Sequence, residues 1–431
     1  MKQQPKARFA LALLALCALA WPTGFASAQG VTTGAMVGIV TNDQQQPISG
    51  ASVIAIHLPS GTTYEATTRG DGRFSIPGMR VGGPYSVTVS YTGTGGGTAF
   101  QPETQEDVTV TLGIATDVNF TVRSIAVQEV VTVTATLDPV FSSTRTGAAT
   151  AVMRAEIATL PTITGRIGDI TRLTPQASGN SFAGQDNRLN NITVDGSFFN
   201  NSFGLGAQPG ECTNVAPISL ESIEQVQVSI APFDVRQGSF IGAAVNTVTR
   251  SGTNQISASV YHRMRNEDLV GREARGFAVN PGTFTFRDTG VWGSGPIVKN
   301  KLFVFGNYEN EEDKRPLTTF LPNAGGQPVG GSITRVLGSD LTTLSAFLKQ
   351  NFSYDTGSFT DLQDRTPAKR YLLRSDYNLS NSNKISFRYN QLDSSSWSNM
   401  SGSSSAGLGG AIIHHEFPEL RQLELHAPRE H

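Results

Sequence analysis

The chain runs to 431 residues, long enough for two or three domains, and 45 glycines with only 16% charged residues favour turns and short strands over long helices. A formal net charge of -2 leaves no basic footprint, which excludes nucleic acid as a partner. Cys17 and Cys212 are the two cysteines, and Cys17 falls in the leader described next, so no internal disulfide is expected in the mature chain.

Lys2, Lys6 and Arg8 make a positive start, and residues 9–21 form an apolar run that breaks at Pro22 and Gly24. Ala26-Ser27-Ala28 ahead of Gln29 is a small-residue cleavage pattern, so residues 1–28 are predicted to be a secretory signal peptide cleaved at Ala26, Ala28 and Gln29. The run is short for a transmembrane anchor. No later stretch is apolar for long enough to cross a membrane as a helix, so insertion would have to use a β-barrel.

Short alternating runs at 36–41, 51–57, 73–76, 85–91, 107–112 and 118–122, separated by turn residues, predict a β-sandwich over residues 29–123. Gly70-Asp71-Gly72-Arg73-Phe74 has the chemistry of a tight hairpin that returns Phe74 to a core. With Gly38-x-Val40, Pro47-x-x-Gly50-Ala51-x-Val53 and Pro84-Tyr85-x-Val87, this segment resembles the carboxypeptidase regulatory-like domain, a transthyretin-like or Ig-like sandwich. The resemblance is to an accessory module, not to a peptidase. The six histidines include no HExxH pair, no metal-ligand cluster is recognisable, and no nucleophile–base pair stands out, so neither a cofactor nor an enzyme is expected.

Residues 124–136 form a β-branched run with little capacity to bury itself. It reads either as a last strand or linker, or as an extended segment that a partner adds to its own sheet. Glu129, Val130, Val131, Thr132, Val133, Thr134 and Ala135 resemble the TonB box of TonB-dependent outer-membrane receptors, which implies binding to a TonB-type energy-transducing protein of the periplasm.

Residues 137–254 are expected to form an α+β unit. Helical turns are predicted at 157–160 and 167–173, ending at Pro161 and Pro175, and Ile192-Thr193-Val194 leads into an Asp195-Gly196 turn. Ile223, Val226, Val228 and Ile230 alternate with polar residues as in a half-buried strand stopped by Pro232. A second run, 243–248, completes a β-turn-β unit before the polar hinge 250–254. The stretches around Leu173-Thr174-Pro175, Asn190 to Gly196, and Pro217 to Asn254 resemble the plug domain of these receptors. Pro232-Phe233-Asp234-Val235-Arg236-Gln237-Gly238 and Val248-Thr249-Arg250-Ser251-Gly252-Thr253-Asn254 point to the Oar-like subgroup.

After the hinge the pattern is that of a barrel, expected over residues 255–415. Tyr371, Leu373, Ser375, Tyr377 and Leu379 occupy one face of a strand and Leu372, Arg374, Asp376 and Asn378 the other. Ile385, Phe387 and Tyr389 repeat the apolar side against Lys384, Ser386, Arg388 and Asn390. A lipid-facing strand with a wet lumen requires this alternation, with the aromatics at interfacial girdles. Further runs are 257–265, 283–292 and 301–309, the last two joined through Gly293-Ser294-Gly295-Pro296. A long polar extracellular loop is expected at 311–366, with a small helix at 341–351. The resemblance implies about 22 strands, and roughly five are recognised here, so the chain is read as an N-terminal fragment with a truncated barrel. Residues 416–431 read as an atypical tail.

The chain is therefore expected to be mainly β: a sandwich, an α+β plug and the first barrel strands. The resemblance implies energy-dependent uptake of an unidentified extracellular ligand across outer-membrane lipid. The alternative is a non-transporting surface binding or adhesion protein that uses the sandwich and the loops.

Overall fold

The computed structural model describes residues 31–426, apart from 92–99, 125–147, 163–164, 180, 201–209, 211–212, 231–236, 238–240, 272, 276, 279–282, 317–320, 331–332, 360–362, 381–382 and 400–411. The cleavage positions Ala26, Ala28 and Gln29 and the segment Glu129 to Ala135 lie outside the described residues.

The first unit is an eight-stranded sandwich: β1 (Gly34–Asn42), β2 (Ser52–His57), β3 (Thr62–Thr67), β4 (Arg73–Met79), β5 (Gly82–Ser90), β6 (Glu103–Val110), β7 (Ala115–Asp117) and β8 (Phe120–Val122). One sheet has the order β3-β2-β5-β6, and the other β4-β1-β7 with β8 also on β1. The alternating residues of the two inner faces meet in one core, with Met36, Val40, Val53, Ala55, Phe74, Tyr85, Val87 and Phe120 all buried. The stretch 70–74 makes the expected tight turn and sends Phe74 inward, but not a hairpin: β3 pairs with β2 while β4 pairs with β1, so the turn is a corner between sheets. Asp71 Oδ1 accepts from the Arg73 amide at 3.1 Å, the ordinary role of a turn aspartate.

The second unit is a five-stranded sheet with the order β11-β10-β13-β12-β9, built from β9 (Ala148–Met153), β10 (Asn191–Val194), β11 (Ser197–Phe198), β12 (Ile223–Ile230) and β13 (Ala243–Thr249). Two short helices, α1 (Arg154–Thr159) and α2 (Ile167–Thr171), bury Ile157 and Ile170 in its core. α1 stops just ahead of Pro161, and the Glu156 side chain accepts from the Met153 amide at 2.8 Å, satisfying a donor at its start. β12 was expected to be half-buried. It lies between β13 and β9, and Gln225 and Gln227 are buried as deeply as Val226 and Val228. The polar face is covered by the sandwich, whose Leu112 amide donates to Gln225 Oε1 at 3.1 Å.

The third unit is a six-stranded antiparallel sheet of consecutive neighbours: β14 (Ser257–Asn266), β15 (Thr285–Val298), β16 (Leu302–Pro316), β17 (Gln363–Asn378), β18 (Lys384–Asn399) and β19 (Ile412–His426). One strand more than the five expected is present, because residues 412–426 pair with β18 rather than leaving the sheet as an atypical tail. Gly293 to Pro296 is not a turn. These residues sit inside β15, opposite Gly306 to Phe303, and the chain reverses at Lys299-Asn300 instead. The loop is shorter than predicted, because charged strand ends extend β16 to Pro316 and begin β17 at Gln363. It carries the helix α3 (Gly338–Phe352). Among the described residues no helix is long and apolar enough to cross a membrane.

Candidate functional site

The long strands alternate at period two, so every second side chain of β14 to β18 points to one face of the sheet. Val260, Met264, Val291, Leu373 and Tyr377 are exposed on the outer face, and the Tyr308 and Tyr371 rings stand 4.9 Å apart as cross-strand partners. The inner face carries Tyr261, Arg263, Asp288, Glu309, Glu311, Asp313, Arg370, Leu372, Arg374, Asp376 and Arg388. The sequence placed several of these in a wet lumen. They lie instead against the five-stranded sheet, with Arg370 only 2% exposed. The reason is complementary charge on that second unit, which the strand alternation could not reveal.

Two polar centres make the seat. At the first, Arg370 Nη1 donates to Glu309, Nη2 to Glu311 at 2.6 Å and Nε to the Ala216 carbonyl at 2.6 Å. Ser219 and Tyr261 hydroxyls both donate to Glu309 Oε2 at 2.5 Å. Arg166 of the second unit stands 3.6 Å from Glu311, and burial lowers its pKa from the usual arginine range while Glu311 opposes that shift. Glu221 accepts from both Arg154 and Arg263, and Arg263 also reaches Asp288 at 2.9 Å. Ionised partners at these distances form charge-assisted bonds, which are shorter and stronger than neutral ones.

The second centre is Asp195, at the predicted Asp-Gly turn, with φ 46 in the left-handed region that aspartate tolerates. Its carboxylate accepts from the Thr249 amide at 2.8 Å and the Thr249 hydroxyl at 2.5 Å. Arg374 of β17 approaches it at 3.2 Å and Arg388 of β18 at 3.5 Å. Arg374 Nη1 also donates to the Thr249 carbonyl at 2.6 Å, and Ser251 donates to Asp376. Arg250 lays its guanidinium over the Trp292 ring, 3.8 Å from the centroid. Between the two centres, Phe305 and Leu372 of the long strands enter the core of the second unit beside Val226 and Ile218.

This arrangement holds one folded unit against the inner wall of another through bonds that water can replace. Among the described residues no group of His, Cys, Asp or Glu could hold a metal ion. The sequence had assigned the inward face of β17 and β18 but not the partners Arg154, Arg166, Asp195, Ser219 and Glu221. The period-two spacing of Glu309, Glu311 and Asp313, which aims three acids at one wall, was the available signal.

Residues 35–123 match the carboxypeptidase regulatory-like domain, and residues 248–417 match an outer membrane beta barrel domain. The TonB-dependent transporter Oar of Myxococcus xanthus is 28% identical over 137 residues, which make up 30% of this chain and 12% of that relative, so this chain matches only a small part of its length. Among solved structures, the outer membrane transporter YddB from Escherichia coli overlaps 58% of this chain and 33% of its own, at 14% identity and a TM-score of 0.39. The siderophore receptor PirA from Acinetobacter baumannii overlaps 60% of this chain and 34% of its own, at 14% identity and a TM-score of 0.39.

Proposed function

We propose that this chain, a TonB-dependent receptor of the bacterial outer membrane, takes part in energy-dependent uptake: a ligand is held outside, and a periplasmic energy-transducing protein then pulls the plug away from the barrel wall. The observation that carries this reading is the seat itself. The second unit meets the inner face of β14 to β18 through ion pairs and hydroxyl contacts, with two apolar additions: Phe305 and Leu372 in the plug core, and Val215 against Ala368 and Leu392. A permanent interface would favour a larger apolar core, whereas a polar one lets water substitute for each lost partner.

The pulling point fits Glu129 to Ala135, which precede β9 in the chain. β9 pairs with β12, whose other neighbour is β13, and β13 ends at the hinge. A pull on this segment therefore acts first on an edge strand of the plug, where backbone bonds are lost one register at a time. The exposed Leu344, Phe347, Phe352 and Tyr354 on and beside α3 would offer an apolar surface to a ligand from outside.

The test is a binding titration of a peptide covering residues 126–138 against the periplasmic domain of an energy-transducing protein of the TonB type. The parent peptide is expected to bind. Replacing Val131 and Val133 with proline removes two ladder donors and should weaken binding by about tenfold or more. Equal affinity of the two peptides, or no binding by either, would overturn the reading.

A further inference from the structure

The sandwich touches three separate parts of the molecule at one place. On the plug, the Leu112 amide donates to Gln225 Oε1 at 3.1 Å, and Val31, Val81 and Leu112 close a small apolar cluster on Val248. On the hinge, Arg80 Nη2 donates to the Gly252 carbonyl at 3.2 Å and the Asn254 amide donates to the Pro59 carbonyl at 2.8 Å. On the barrel, Asn378 donates to Thr62 Oγ1 at 3.0 Å, and Lys384 Nζ stands 3.3 Å from the centre of the Tyr64 ring.

The fit is one of shape as well as bonding. Gly61 and Gly113, both at positive φ, press their backbones onto Asn300 of the barrel turn and Gln227 of the plug. A side chain at Gly113 would bring its Cβ to 2.8 Å from Gln227 Oε1, and one at Gly61 would collide with Asn300. Asn300 is itself tied to the hinge, since its amide donates to Asn254 Oδ1 at 2.9 Å. Glycine at both approaches, an apolar cluster and bonds to all three parts together describe a docked domain, not a tethered one.

We propose that the sandwich is a brace clamped across the plug–barrel junction, and that it must lift before residues 250–254 can move. Its binding partner is the short-turn mouth of its own barrel together with the polar face of its own plug sheet. The proposal rests on the uptake reading only for the direction of movement, since the clamp is a property of the resting protein. A pull on the segment between sandwich and plug would load the brace and the plug edge together, so undocking comes before or with plug movement.

The test is hydrogen exchange on the full chain in detergent or bilayer, with no energy-transducing protein present. Peptides covering 250–256 are expected to be protected in the parent, because the Asn254 amide is bonded to Pro59. The pair Arg80→Ala with Lys384→Ala should speed their exchange by about tenfold or more, while the plug strand around Val226 and the sandwich strand around Val53 stay protected. A second pair, Asn378→Ala with Lys384→Ala, leaves the sandwich sequence intact and decides the matter if the first pair loses strand protection. Free exchange of 250–256 in the parent, or no change in either pair, would overturn the brace. Because no partner is present, a failure here leaves the uptake reading standing, and a failure of the peptide titration leaves the brace standing.

Discussion

Replacing Arg370 with methionine keeps an unbranched stem of similar length and removes the charge at the centre of the seat. The guanidinium is almost fully enclosed and serves Glu309, Glu311 and the Ala216 carbonyl together. What remains differs between the two acids. Glu309 keeps the Ser219 and Tyr261 hydroxyls at 2.5 Å, whereas Glu311 is left with Arg166 at 3.6 Å. Removing one member of a buried ion pair costs about 3–5 kcal/mol, because the other charge stays buried without compensation, and most of that cost falls on Glu311. Adding Glu311→Gln neutralises the stranded charge and should recover about 2 kcal/mol, so the double variant is more stable than the single. Hydrogen exchange of plug peptides covering 214–230, in detergent-solubilised full chain, reads the opening free energy directly. The single variant should exchange more than about a hundredfold faster there. A single variant within about 1 kcal/mol of the parent, or a double variant less stable than the single, would refute this account of the seat.

Asp195→Asn keeps the left-handed turn but weakens acceptance from Arg374, Arg388 and Thr249. It should destabilise the plug edge by about 2–3 kcal/mol, read as faster exchange around 191–198 and 247–251 with the first centre unaffected. His57 is buried, bonded through Nδ1 to Ser60 at 2.7 Å, and its pKa is lowered to about 3, mainly by burial and then by the charge of Arg80. Below the unfolded value of 6.5 the unfolded chain takes up a proton that the folded chain refuses. Sandwich stability is thus full above pH 6.5 and falls by about 1.4 kcal/mol per pH unit as pH drops toward 3. His57→Gln should flatten that slope in denaturation of the full chain followed across pH, and an unchanged slope would refute the assignment. Leu373→Arg places a charge on the outer face and should cost about 2–4 kcal/mol of membrane insertion, measured as loss from the outer-membrane fraction, while Ser375→Arg nearer the turn costs less. Equal losses would mean that Leu373 is not at mid-membrane depth.

The sandwich and most barrel strands were legible because their information is local. Period-two alternation with glycine, proline and asparagine turns placed β1, β2, β5, β14 and β17, and Phe74 was assigned to the core it occupies. β3 and β7 went unread because Thr62 to Thr67 is nearly all polar and β7 is only three residues long. Errors arose where tertiary contact overrides a local signal. Gly293 to Pro296 has the composition of a turn, yet β16 pairs with all four residues and β14 with Gly293 and Ser294, which holds it in a strand. Gln225 and Gln227 look solvent-facing until the sandwich covers them. The seat was half legible: alternation gives the inward set, but only the fold brings Asp195 to Arg374, 179 positions away in the chain.

On the uptake reading proposed above, the inner wall of β14 to β18 serves two conditions at once. With the plug in place, its charges are internal partners. With the plug withdrawn, the same guanidinium and carboxylate groups make a surface that water wets without further change. Opening would therefore exchange one set of hydrogen-bond partners for another, with Phe305, Leu372, Ala368 and Leu392 as the apolar groups of the wall to be newly wetted. A gate of this kind would exchange polar partners more than lose them as it opens.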